Sequence, residues 1–133
     1  MGKGNGKNVW GLLQILGIHR NNKRGHHTKK MKQGNKAIRD KIPEIIKASG
    51  NNCKIRKLTD NEFLIEMEKK LNEEVAEYLE SKTGEELADI LEVVYRIAKL
   101  RGVSSDELDK IRKEKAKKRG KFDSNLFLID AEK

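Results

Sequence analysis

Apolar residues recur at helical spacing through most of the second half of the chain. Leu64, Met67, Leu71, Val75 and Tyr78 fall three or four positions apart, one stripe of a helix. Leu87, Ile90, Leu91, Val94, Ile97 and Ala98 form a second stripe. Each is preceded by a helix-start signature. Thr59-Asp60-Asn61-Glu62 and Thr83-Gly84-Glu85-Glu86 both set a hydroxyl three residues ahead of a glutamate, and Ser104-Ser105-Asp106-Glu107 repeats the device. The spacing predicts helices over about 60–81, 84–101 and 105–119, with Gly102 and Gly120 as stops. Earlier, Pro43 suits the first turn of a short helix that ends near Ser49-Gly50. The Ser81-Lys82-Thr83 turn is short, so the first two long helices should pack antiparallel. Cys53 to Leu58 alternates apolar and basic residues, and Leu126 to Ile129 is a brief apolar run. Those two segments leave room for a short two-stranded β piece. The expected fold is mostly α: an antiparallel helical hairpin plus a third long helix.

Charge alters this picture at the front of the chain. Residues 1–30 carry seven Lys/Arg, no Asp or Glu, all three histidines and six of the eleven glycines. The expected division is a basic, flexible extension over 1–36 and a helical domain over 37–133. The apolar island Val9 to Ile18 has basic flanks like a signal-peptide core, but HRNNKRGHH follows it in place of a small-x-small cleavage site. A basic arm touching nucleic acid is one role for the extension, and translation starting at Met31 is another reading of it. No apolar run approaches the ~20 residues of a membrane span, so an integral membrane protein is not expected. The single Cys53 rules out an intramolecular disulfide and a cysteine-based zinc site. It fits a reducing compartment, and a cytoplasmic protein is expected.

The helical part is itself polarised. Asp60 to Glu92 holds twelve acids and three bases, whereas Lys110 to Lys121 holds eight bases and one acid. Within the acidic block, two i, i+3 pairs stand at equal distances from the turn: Glu74 and Glu77 before it, Glu86 and Asp89 after it. An antiparallel hairpin brings such positions face to face, and the spacing stacks each pair one turn apart. Four carboxylates converging in a groove repel one another unless protonated or bridged by cations. Oxygen ligands without nearby His or Cys suit Mg²⁺ or Mn²⁺. Glu92 extends the second pair by one step as a weaker ligand candidate, and Glu73 and Glu85 are read as outward or supporting neighbours. In the basic block Arg112, Lys115 and Arg119 share one helix face, with Phe122 just beyond. Divalent cations beside a basic face describe a site for a polyphosphate. Phe122 is read as a core residue or as a stacking platform for a base.

These residues resemble a family. EEVAE (Glu73 to Glu77) followed by EELAD (Glu85 to Asp89) is similar to the ExxE…ExxD signature of all-α nucleoside triphosphate pyrophosphohydrolases, the MazG-like superfamily. RDKIPEII (Arg39 to Ile46) and the closing Lys115, Arg119, Gly120 and Phe122 are similar to its small single-domain, phosphoribosyl-ATP pyrophosphohydrolase-like branch. The match covers about Arg39 to Leu128. The resemblance implies metal-dependent hydrolysis between the α and β phosphates of a nucleoside triphosphate, giving a monophosphate and pyrophosphate. It implies Glu74, Glu77, Glu86 and Asp89 as metal ligands and catalytic carboxylates, with Arg39, Lys41, Lys115 and Arg119 touching phosphate. It also implies a homodimer or homotetramer, which the extra apolar positions Phe63, Leu79, Val93 and Leu100 would suit. The alternatives are the phosphoribosyl-ATP step of histidine synthesis, a nucleic-acid-binding helical module without activity, and an inactive oligomeric scaffold.

Overall fold

The computed structural model describes residues 34–132. The expected basic extension lies outside the described residues as far as residue 33, and with it the readings of an arm on nucleic acid and of a start at Met31. The described residues form four helices: α1 (Ile42–Ala48), α2 (Asp60–Ser81), α3 (Gly84–Leu100) and α4 (Ser105–Arg119). None is long and apolar enough to cross a membrane.

The helix ends follow local chemistry. At the start of α2 the capping box is complete: the Glu62 N–H donates to Thr59 Oγ1 at 3.1 Å, and the Thr59 N–H donates to Glu62 Oε1 at 3.0 Å. The backbone hydrogen bond from Thr59 is the main reason the Glu62 carboxyl sits below its ordinary range. At the start of α3 only half of the box forms. Thr83 Oγ1 accepts from the Glu86 N–H at 3.3 Å, but the Thr83 N–H donates to Ser81 Oγ at 3.4 Å. The Glu86 carboxylate lies instead beside those of Glu74 and Asp89. Ser104 caps α4 by accepting from the Glu107 N–H. Lys82 ends α2 with a left-handed backbone (φ 57°), and Gly120 ends α4 at φ 85°, where a glycine avoids the Cβ penalty.

Helices α2 and α3 pack along their length as an antiparallel hairpin, and α4 packs against α3 over a shorter stretch. The direction is marked by Arg101, just past the end of α3, which reaches back to Glu68 early in α2 at 2.8 Å. The main core cluster is Ala37, Met67 and Val93, flanked by Phe63, Leu71, Ile97 and Leu100. Ala37 belongs to the segment that leads into α1, so this segment lies over one face of the hairpin. That placement corrects the expected inner stripe. Val93, Phe63 and Leu100, expected to serve a contact between subunits, pack in the chain's own core because residues around Ala37 cover them. Leu87 and Leu91, expected to be inside, are about half exposed, as is Leu79. A second, smaller cluster centres on Ile42, with Ile38, Ile45 and Ile46 around it.

The β piece is not formed. Neither 53–58 nor 126–129 is a strand, and the described residues contain none. Ile55, Leu126, Phe127, Leu128 and Ile129 are exposed. A lone two-stranded pairing is marginal in water, and no third strand among the described residues supports one.

Candidate metal centre

The hairpin register decides which carboxylates meet. Glu74, Glu86 and Asp89 each place a carboxylate oxygen within 4.8 Å of the other two. Glu74 comes from the third turn of α2 counted back from the Lys82 turn. Glu86 and Asp89 come from the start of α3, one helical turn apart. Glu74 is only 2% exposed, although nothing in its residue type favours burial, and Glu86 and Asp89 are half-buried. Glu77, expected as a fourth ligand, is half-buried on α2 but lies outside the close group of three. Glu92 is exposed, and Glu73 pairs instead with Lys36 at 3.4 Å.

Among the described residues, Arg39 and Lys70 border the cluster. Arg39 Nη2 donates to Asp89 Oδ1 at 2.8 Å, a bond that ties the segment before α1 to the start of α3. Lys70 Nζ lies 3.5 Å from Glu74 Oε2, one turn earlier on the same helix. Lys70 is itself buried. Sequence reasoning named Arg39 through the family motif alone and missed Lys70. The signal for Lys70 was present: a lysine sits inside the apolar stripe, between Met67 and Leu71, four residues before Glu74.

The other expected substrate-binding residues are exposed. Lys41 is exposed at the N-cap position of α1. Lys115 and Arg119 are exposed on α4, and Phe122 is 96% exposed beyond it, in contact with no core. On the same helix Arg112 donates twice to Asp109 Oδ1, at 3.1 and 2.9 Å, and this pairing holds the Asp109 carboxyl below its ordinary range.

The donor set fits a hard divalent cation. Three carboxylates from two helices converge with no imidazole or thiolate among them, the oxygen-only chemistry that Mg²⁺ and Mn²⁺ prefer. Their close approach concentrates negative charge that Arg39 and Lys70 offset only in part.

No known family's sequence profile matches the chain, and no solved structure matches it. Among curated proteins, the chain is similar to an uncharacterised protein of Mycolicibacterium smegmatis, 52% identical over 40 residues. That stretch is 30% of this chain and 41% of the relative, so the chain spans less than half the length of the relative it matches.

Proposed function

We propose that the chain is a divalent-metal-dependent nucleoside triphosphate pyrophosphohydrolase, cleaving between the α and β phosphates to release a monophosphate and pyrophosphate. One observation carries the reading: three carboxylates from facing helices gather within 4.8 Å, one of them almost wholly buried. Exposed Glu-rich helices have no reason to bury a glutamate in this way. The MazG-like resemblance of Glu73–Glu77 and Glu85–Asp89 supplies the reaction.

In this reading Glu74, Glu86 and Asp89 hold Mg²⁺ or Mn²⁺. Bound there, such an ion would supply charge neutralisation for the phosphates and acidity for an attacking water. Glu77, one turn from Glu74 and outside the ligand group, accepts the water's proton. Arg39 turns from Asp89 towards the phosphates, which its exposed guanidinium is free to do. Lys115, Arg119 and Lys41 supply further positive charge for the phosphates, from the same chain or from a second subunit. The exposed leucines Leu79, Leu87 and Leu91, together with the small core, support such a homodimer or homotetramer.

The test is to incubate the protein with Mg²⁺ and a panel of nucleoside triphosphates and to measure pyrophosphate. We expect turnover that Glu74→Gln lowers by about a hundredfold or more, since even outer partners of a metal site are worth ten- to a hundredfold. Turnover of phosphoribosyl-ATP alone would move the protein to histidine synthesis. The exposed bases of α4 favour one competing reading, a nucleic-acid-binding module. Salt-dependent binding of RNA or DNA that survives Glu74→Gln, without any pyrophosphate release, would establish it instead.

A further inference from the structure

Lysine is almost never fully buried without a partner, because its charge must be removed from water. Lys70 is buried in α2, and the charge it faces belongs to Glu74: Nζ to Oε2 is 3.5 Å, with the two side chains 10% and 3% exposed. The order is unfavourable for an ordinary surface pair, since Lys precedes Glu by four and helices prefer the reverse. The pair therefore has a reason other than helix stability. Glu74 is the most buried member of the carboxylate group, and Lys70 pairs with it at that buried end. Arg39, on the Asp89 side, is more than half exposed, and solvent weakens its field.

We propose that Lys70 is a positioning residue and internal counter-cation. Its charge, 3.5 Å from Glu74 Oε2, favours the Glu74 side chain in its place beside Glu86 and Asp89 and weakens the attraction of the cluster for a divalent ion. This inference rests on the metal-site reading above and adds to it a residue that sets how tightly the ion is held. Lys70 keeps the hairpin closed when no ion is bound. Once an ion is bound, its charge repels that ion, which keeps the site from being blocked by a permanently held cation. The three carboxylates then carry one charge less than they would alone, and the loaded site is left more attractive to a polyanion.

The experiment is Mn²⁺ titration of the full chain, with thermal unfolding recorded in the presence of EDTA and of saturating Mn²⁺. Lys70→Met keeps the length of the side chain and removes its charge. It should bind Mn²⁺ about tenfold more tightly, the effect of deleting a poorly screened like charge nearby. It should also melt several degrees lower in EDTA and recover most of that loss in Mn²⁺. Lys70→Arg, which keeps the charge, should restore wild-type behaviour in both measurements. If Lys70→Met does not fold, Lys70→Gln carries the same expectation. Unchanged Mn²⁺ affinity, with an equal loss of melting temperature with and without the ion, would make Lys70 merely structural and overturn the inference. Weaker Mn²⁺ binding by the neutral variants would overturn it too. Failure of the wild-type chain to bind Mn²⁺ would remove the metal-site reading itself, and this inference with it.

Discussion

The α2–α3 hairpin and helix α4 treat charge in opposite ways, although α4 is the more densely charged of the two. The hairpin takes a glutamate and a lysine out of water and gathers Glu74, Glu86 and Asp89 from two helices. Helix α4 leaves its bases in solvent and pairs Arg112 and Lys113 with its own Asp109. An exposed ion pair contributes little and asks little of the fold. A buried charge costs several kcal/mol unless its surroundings are arranged for it. The comparison therefore separates charge that keeps a helix soluble from charge that the fold is organised around, a distinction that net charge alone obscures.

The comparison can be broken by substitution. The largest expected effect lies in the hairpin core. Met67→Ala should destabilise by about 2–3 kcal/mol in urea unfolding, because the lost contacts face Ala37 and Val93 in a cluster with few replacements. A loss below about 0.5 kcal/mol would mean the hairpin is no better packed than α4. The helix starts come next. Thr59→Ala removes a complete capping box and should cost about 1 kcal/mol, more than Thr83→Ala, whose box is half made. Glu62 adds a pH signature. The backbone hydrogen bond from Thr59 holds its folded-state carboxyl below the ordinary glutamate range, so its contribution is fully present above that range and lost as pH falls through the lower folded value. Glu62→Gln should flatten that part of the acid unfolding curve. The smallest effect is expected in α4. The double substitution Lys115→Ala, Arg119→Ala should change stability by less than about 0.5 kcal/mol. A rise in KM for a nucleoside triphosphate with kcat preserved would sharpen the comparison, by showing that the solvated bases meet substrate.

Helix boundaries were legible because they depend on neighbours in sequence. Thr59, Thr83, Ser104, Pro43, Gly50 and Gly120 act within a turn of their own position, and α1 to α4 begin and end where they direct. The meeting of Glu74 with Asp89 was legible for a related reason: a short turn converts distance along the chain into distance across the hairpin. Less legible was the rotation of each helix about its axis. Val93 and Leu87 both belong to apolar patterns of α3, and only the cover supplied by Ala37 makes the first core and leaves the second half exposed. Periodicity gives the width of an apolar stripe and not the element that comes to lie on it. The exclusion of Glu77 from the close group, against equal spacing with Glu86, has the same origin. Lys70 was missed because an i, i+4 Lys–Glu pair reads as a surface pattern until burial is known.

The connection between α2 and α3 has one more consequence. Only Lys82 and Thr83 separate the helices, and Lys82 already occupies a backbone conformation with little latitude. The connection works like the rivet of a pair of calipers. Each residue added or removed inside either helix near it would turn everything beyond by about 100°. Glu86 and Asp89 would then point away from Glu74 while every helix remained intact. Variation in chain length can therefore be absorbed before α2 or after α3 far more readily than in the few residues between Glu77 and Glu86.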